Sequence, residues 1–377
     1  MNDFYRVLGV MSGTSLDGVD LAVCTFQFSG THVDFAVEQA TTLDYPAHWK
    51  RWLATAHDLE SDELQQLDQQ YTRYLAATIN NFKQEHDVTN LDAVCSHGHT
   101  VLHQPHRGIT VQIGNQPQLA DLVGCRVVCD FRVQDVALGG QGAPLVPIGD
   151  ALLFPHYAAC INLGGFANIS YPYDGLGADS VASAKRTSAT SHSKNRLAYD
   201  ICPVNIVMND LARELGSDYD DDGAFAKAGT CNPTLLAQLN SLSFYQKLPP
   251  KSLGKEWVIE YIEPLIVAAK VSGTSTRDLL ATMVAHITEQ IARVLRNVPM
   301  GRVLVTGGGA FNGFLIAELE RQTAHQIIVP DARIVNYKEA LIFGLLGVLR
   351  LRGAVNCLAS VTGASRDHSS GKVYQPS

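Results

Sequence analysis

The chain has 377 residues, 46% of them hydrophobic and 18% charged, with a formal net charge of −8. That balance suits a folded protein of two ordinary domains, and with no basic block to grip a phosphate backbone it excludes nucleic acid as a partner. The most apolar late run, "ALIFGLLGVLRL" at 340–351, is about half of the roughly 20 residues that span a bilayer, so it reads as a buried helix and no membrane partner is expected.

The N-terminal residues lack the basic start, apolar core and small-residue cleavage site of a secretory signal. The eight cysteines are scattered, many of them in apolar runs, as at Cys24, Cys95, Cys129 and Cys160. Buried free thiols in a reducing, cytoplasmic setting fit that usage. The first apolar run, Tyr5–Met11, predicts a strand, Val19–Phe26 a second, and residues 33–39 a third. Over 61–85 the period changes. Leu64, Leu67, Tyr71, Leu75, Ile79 and Phe82 recur at three- and four-residue spacing and predict an amphipathic helix. "LDAVCSHG", "GITVQIG" and "CRVVCDF" predict three further strands. The loop Ala137–Pro147, "ALGGQGAPLVP", marks a hand-over between domains. "AACINLGG" and "ANISYP" predict another strand pair, and residues 171–196 an exposed polar loop. Pro203 suits the first turn of a helix. Residues 276–297 predict a second strong helix, capped by Ser275 or Thr276. "RVLVTGGGAFNG" predicts a strand running through three glycines into a helix from about 312. Mixed strands first and strand–helix alternation later predict an α/β fold, with mixed sheets flanked by helices.

The candidate chemistry lies at strand ends. The turn between the first two strands is richer than the two residues a hairpin needs. Ser12, Thr14 and Ser15 offer hydroxyls, and Gly13 and Gly18 let a ligand approach backbone N–H groups. Asp17 and Asp20 would repel a bare polyphosphate but hold a Mg²⁺ that bridges it. With Leu16 and Val19 the stretch reads either as a nucleotide phosphate clamp or as a polar surface loop. It is no Walker A loop, since no Gly-Lys-Ser or Gly-Lys-Thr follows. "INLGGFANIS" repeats the pattern with Gly164 and Gly165, one such turn in each half of the chain. Gly307, Gly308 and Gly309 present bare backbone on which a base and ribose can lie, or form a packing turn.

Asp200 has the position and chemistry of a catalytic base kept ionised by a following helix N-terminus; the plainer alternative is a helix cap. His97, His99, His103 and His106 invite a metal. His97 and His99 fall on one strand face, with His103 and His106 beyond a turn. No Cys or carboxylate completes a zinc spacing, so a polar substrate wall or a hydrogen-bonded core edge is favoured. "DYDDDGAFAKAG", at 218–229, lacks the later Glu of a calcium loop and reads as a capped helix start. There is no Gly-x-Ser-x-Gly elbow.

The stretches "GVMSGTSLDGVD", "SHGHTVLHQP", "QIGNQPQLA", "DFRVQDVALGGQGAPLVP", "NLGGFANIS", "YDDDGAFAKAG", "PPKSLGKEW", "VTGGGAFN" and "YKEALIFGLL" together resemble the anhydro-N-acetylmuramic acid kinase family, almost end to end. That family lies in the superfamily of sugar kinases, actin and heat-shock ATPases. The resemblance implies a two-lobed actin-like ATPase (ribonuclease H-like) fold with ATP between the lobes. The expected division is 1–131 plus 350–377, and 132–349 with the catalytic Asp and the adenosine site. It also implies a double reaction: water opens the 1,6-anhydro bridge of the aminosugar, and the freed O6 takes the γ-phosphoryl group. The product is N-acetylmuramic acid 6-phosphate, used in cell-wall recycling.

Carried across by residue, Gly13–Asp20 is the phosphate loop and Asp200 the base that activates water. Gly307–Gly309 and Asn312 border the adenosine, and Glu339 is an acid near the nucleotide. ATP, Mg²⁺ and a homodimer are implied with it. The chain departs from the family after Asp200. Where the family writes Thr-Gly-Pro-Gly-Asn, this sequence has Ile-Cys-Pro-Val-Asn, so Cys202 and Val204 replace small residues and would hold the backbone further from a ligand. The segment 171–196 is also longer than the family norm. Rival readings are a kinase of the same fold for another sugar or small acid, and a non-catalytic nucleotide-binding regulator. A glycosidase without ATP would need two working carboxylates and no phosphate loop.

Overall fold

A computed structural model of the chain describes residues 3–13, 16–173 and 195–377. Its first sheet holds β1 (Phe4–Ser12), β2 (Gly18–Ser29), β3 (His32–Asp44), β4 (Ala93–Gln104), β5 (Ile109–Ile113) and β6 (Val127–Cys129). The second holds β7 (Ala159–Leu163), β8 (Phe166–Pro172), β9 (Arg196–Pro203), β10 (Arg302–Thr306) and β11 (Gln326–Ile328), and β12 (Lys372–Tyr374) returns to the first. The orders are β12-β6-β4-β1-β2-β3, with β5 beside β4, and β11-β10-β7-β8-β9.

The two sheets repeat one plan. β1–β2–β3 is an antiparallel meander, and β4 then β6 add in parallel beside β1. β7–β8–β9 is again an antiparallel meander, and β10 then β11 add in parallel beside β7. This is the ribonuclease H-like arrangement drawn twice, the α/β class expected. The two strand–glycine turn–strand motifs, β1–β2 and β7–β8, occupy the same place in the two sheets.

The chain divides into two compact units, one of residues 1–153 and 337–377, the other built mainly from 154–173 and 196–336. In the first, β1 is buried on both faces, as a strand covered by helices on each side must be. Leu8 and Val10 join Leu67, Tyr71, Leu75 and Ile79 of the helix Ser61–Glu85 in one core. That helix matches the expected span, and Glu60 and Glu63 close it with a capping box. On the other face Val7 and Gly9 meet the helix Ala332–Leu351, whose residues 340–349 are buried all round. A Cβ on Gly9 would lie 1.9 Å from the Ala340 carbonyl oxygen. Both sides of that contact are backbone, so neither yields cheaply. Gly9→Ala is therefore expected to cost about 3 kcal/mol, the upper end of ordinary overpacking, seen as a lower urea midpoint with the slope unchanged.

In the second unit the helix Thr276–Leu295 runs through the core, with the Ser275 side chain accepting from the Asp278 N–H as its cap. Two local readings change. Pro203 does not open a helix: it ends the edge strand β9 opposite Phe166, where a missing N–H is tolerated, and the helix Asn205–Glu214 begins two residues later. β4 continues through His103, which the sequence placed beyond a turn. Among the described residues no helix is long and apolar enough to cross a membrane.

Candidate active site

In the first unit the β1–β2 turn is built inward from Ser12. That residue is 2% exposed, with its hydroxyl 2.6 Å from the Tyr45 hydroxyl and 2.7 Å from His99 Nδ1. Tyr45 continues the network to Tyr71 at 2.5 Å. Ser12 thus anchors the point at which the chain leaves the sheet. Gly13 is half-buried, and Leu16, at φ 61°, turns the chain through the left-handed region, a conformation non-glycine residues adopt only when their surroundings impose it. Thr14 and Ser15 lie outside the described residues. Asp17 is exposed. Gly18 is held close under β3, where a Cβ would come 2.4 Å from the Leu43 carbonyl oxygen, and Val19 is buried beside it.

Asp20 is half-buried on β2, in register with Thr42 of β3, whose hydroxyl donates to Asp20 Oδ1 at 2.6 Å. Burial pushes its carboxyl up to about 6; the Thr42 bond pulls it down, and the charges of Glu339 and Asp17 push it up again. Glu339 reaches solvent, yet the dense protein around it raises its carboxyl, against the pull of Arg132 and Lys338. Asp20 thus carries the repulsion of both Asp17 and Glu339, a repulsion that a hard divalent cation such as Mg²⁺ would relieve. Thr42→Val tests this electrostatic reading. A hydrogen bond to a charged group is worth about 1.5–3 kcal/mol, so the Asp20 titration should move up by about 1–2 units, read from the carboxyl carbon shift against pH.

In the second unit a polar row crosses four strands. Thr306 of β10, Asn162 of β7, Asn168 of β8 and Asp200 of β9 are successive register partners. Asn162 and Asn168 belong to a stretch the sequence reading valued only for its glycines. Asp200 sits at a break in the β8–β9 register, a bulge of the kind that re-aims a side chain. It is neither a helix cap nor at a helix N-terminus, since the next helix begins at Asn205, so no helix dipole keeps it ionised as the sequence suggests. Burial raises its carboxyl, and the Leu253 N–H, donating to Oδ2 at 2.8 Å, lowers it. The Asp200 N–H in turn donates to the Lys251 carbonyl at 3.1 Å. The strap Lys251–Leu253 therefore grips Asp200 by main chain and side chain together. Lys251 itself donates to the Phe244 carbonyl and lies 4.6 Å over the Phe244 ring. Sequence pattern gave no sign of this strap beyond its match to a family stretch.

The Gly164 and Gly165 carbonyls accept from the N–H groups of Val204, Asn205 and Ile206, so this turn caps the helix that follows β9. Gly307, at φ 82°, and Gly309 lie against the end of β7: a Cβ on either would come within 2.8 Å of Leu163. Gly308 has more room, with Asn205 Nδ2 3.6 Å from its would-be Cβ. Asn312 caps the helix Gly313–Gln322, accepting from the Leu315 N–H at 2.9 Å. Cys202 and Val204, the substituted positions, are both fully buried in this unit's core. Their added bulk goes into the core and not toward solvent.

The histidines divide. His97 donates from Nδ1 to the Gly98 carbonyl and accepts from Arg132 Nε at Nε2; burial and Arg132 hold it neutral. His99 is held by Ser12 and lowered to about 4 by burial. The β1–β4 register breaks between Ser96, opposite Val10, and His99, opposite Ser12, so His97 falls within the break, and these two histidines make a hydrogen-bonded core edge. His103 meets Thr110 and His106 is exposed. Asp220 accepts from the Phe225 and Ala226 N–H groups, the capped helix start that was read from sequence.

A family model described as AnmK: Anhydro-N-acetylmuramic acid kinase matches residues 5–376. A Salinibacter ruber protein named anhydro-N-acetylmuramic acid kinase is 34% identical over 401 aligned positions, covering 98% of this chain and 96% of its own length. A Chromobacterium violaceum protein of the same name is 33% identical, covering 99% and 100%. Among solved structures, the activator of the 2-hydroxyisocaproyl-CoA dehydratase from Clostridium difficile with bound ADPNP superposes at a TM-score of 0.43, with 12% identity over 91% of this chain and 94% of that one.

Proposed function

The chain belongs to the anhydro-N-acetylmuramic acid kinase family, and from that premise we propose that it hydrolyses the anhydro bond of 1,6-anhydro-N-acetylmuramic acid and phosphorylates the freed O6 with ATP, as a sugar kinase of cell-wall recycling. The observation that carries the hydrolytic half is Asp200, a partly buried carboxylate with a raised pKa, fixed at a bulge by the Lys251–Leu253 strap. A base acts best when its pKa lies near the working pH and its geometry is held, and both conditions favour this residue.

In this reading Asp200 takes a proton from water as the water oxygen bonds to C1. The C1–O6 bond breaks, and its electron pair stays on O6. O6 then attacks the γ-phosphorus, ADP leaves, and the proton held by Asp200 passes to solvent. Asn162 and Asn168, in the same cross-strand row, orient polar groups of the sugar or the water. The turn Gly13–Asp20 lies along the phosphates. Gly164 and Gly165 hold the helix after β9, Gly308 offers open backbone to the nucleoside, and Asn312 with Gly307 and Gly309 fixes that segment. Asp17 and Asp20, with Glu339 nearby, would hold Mg²⁺, which neutralises charge on the transferring phosphoryl group. The reading includes a homodimer, carried from the family resemblance and testable by light scattering, and a cytoplasmic setting, carried from the cysteine usage.

The test is a substrate comparison with Mg·ATP, following ADP and sugar phosphate by mass spectrometry. The anhydro sugar should give a 6-phosphate and equimolar ADP. Turnover of N-acetylmuramic acid but not its anhydro form would replace the substrate, and ATP binding without either product would replace the enzyme with a regulator.

A further inference from the structure

Outside the residues given roles above, three buried side chains of different chemistry meet in the first unit. Asp135, Cys357 and His368 each offer one ligand atom, and these atoms lie within 4.8 Å of one another. Asp135 is fully buried, and Cys357 and His368 are 1% and 6% exposed. They come from distant parts of the chain, but their meeting is fixed by backbone. The Cys357 N–H donates to the His368 carbonyl at 3.1 Å, and the His368 N–H donates to the Cys357 carbonyl at 3.2 Å. Such a mutually bonded antiparallel pair puts both side chains on one face.

The protons make the case. His368 Nδ1 lies 3.2 Å from the Arg366 carbonyl oxygen, which can only accept, so Nδ1 carries the hydrogen. The second nitrogen, Nε2, has no hydrogen-bond partner, and it faces Asp135 Oδ1 at 3.5 Å. The Asp135 carboxylate is held from behind, by the Thr362 hydroxyl at Oδ1 and the Gly142 N–H at Oδ2, both 2.7 Å. A neutral imidazole would thus aim a lone pair at a carboxylate in a dry interior, two acceptors with nothing between them, which is costly. Something positive belongs there. The separation is that of two ligands of one ion, since bonds of about 2.0–2.2 Å at a tetrahedral angle set N and O about 3.4 Å apart. The backing is also that of a metal site, where the other imidazole nitrogen and the carboxylate are each oriented by a further hydrogen bond.

We propose that Asp135, Cys357 and His368 form a site for one borderline divalent cation of the Zn²⁺ kind, clamping the C-terminal segment 357–368 to the loop after Asp135. The ligands are Asp135 Oδ1, Cys357 Sγ and His368 Nε2, with a fourth position for a water. The thiol gives up its proton to the buffer as the metal–sulfur bond forms. The carboxylate and thiolate together neutralise the ion, as its burial requires. The clamp is structural: it ties the last part of the chain to the glycine-rich loop through Gly142.

Cobalt is the probe, because a thiolate–Co²⁺ bond gives a near-ultraviolet charge-transfer band. Chelator-treated full-length protein is titrated with Co²⁺, then with Zn²⁺. The expected result is one Co²⁺ per chain with that band, displaced by Zn²⁺, lost in Cys357→Ser and weakened at least tenfold in affinity in His368→Gln. Zn²⁺ should also raise the wild-type melting temperature. An unchanged band in Cys357→Ser would assign the sulfur to another cysteine and overturn the proposal. If Cys357→Ser does not fold, the wild-type stoichiometry decides: the absence of a tight cobalt site overturns the proposal.

Discussion

Asp200→Asn is expected to lower kcat on the anhydro sugar by about 10²–10⁴-fold, the range a positioned general base supplies, with nucleotide binding retained. Asparagine keeps the shape of the side chain and one carbonyl oxygen to accept from the Leu253 N–H. The Asp200 N–H bond to Lys251 is main chain and survives. Only the ability to take a proton is lost. Stability should not fall with activity. Burial raises the Asp200 carboxyl above its ordinary value, so the folded state prefers the protonated form. The stabilisation from that preference is full below the unfolded pKa and fades as pH rises through the folded one. At pH 8 the wild type therefore carries an unfavourable buried charge that the amide lacks, and the variant should melt at the same temperature or higher. In the wild type the same shift moves the acid limb of kcat/KM above that of an ordinary aspartate. A loss of less than tenfold in the variant would remove Asp200 from the chemistry.

Asp20→Asn should separate stability from function in the other unit. Burial and the charges of Glu339 and Asp17 raise Asp20 from 3.8 to about 6. A shift of that size corresponds to about 3 kcal/mol at most. Partial exposure reduces this to about 1–2 kcal/mol, or a rise of roughly 3–6 °C in melting temperature for a unit of this size. The sign fixes the pH window. The stabilisation of the wild type by the raised pKa is complete below about pH 4 and lost as pH rises through 6. The two proteins should therefore melt together near pH 4 and diverge by pH 7–8, with the variant higher. In the proposed reading Mg·ATP should reverse the ranking, because a wild type that held the ion through this carboxylate would be stabilised by mass action. Melting curves with and without nucleotide at pH 4.5 and 7.5 check both halves.

How much of this was legible in the sequence follows from which signals are local. The helix Ser61–Glu85 was readable to its ends because three- and four-residue spacing is written in consecutive residues. The glycine turns at 12–18 and 164–165 announced themselves by composition, and their equivalence in two like sheets confirms the internal echo. What escaped depends on partners far along the chain. The row Thr306, Asn162, Asn168 and Asp200 exists only through strand register. The strap on Asp200 comes from residues about fifty positions later, so sequence singled out the carboxylate but not what holds it. Ser12 reads as a phosphate donor from its neighbours in sequence, yet Tyr45 and His99 draw its hydroxyl into the core. The bulk of Cys202 and Val204, which from sequence alone would hold a ligand away, goes inward, because both are core positions of their unit.

The most direct measurement is where oxygen from water ends up. The protein is incubated with Mg·ATP and 1,6-anhydro-N-acetylmuramic acid in ¹⁸O-water, and the sugar phosphate is fragmented in the mass spectrometer, with prompt quenching to limit anomeric exchange. The account predicts ¹⁸O at C1, unlabelled oxygen at C6 beneath the phosphate, and labelled product formed about 10²–10⁴-fold more slowly in Asp200→Asn. A 6-phosphate with unlabelled C1, or label in the phosphoryl group alone, would contradict it, because the anhydro bond would then have opened without attack of water at C1.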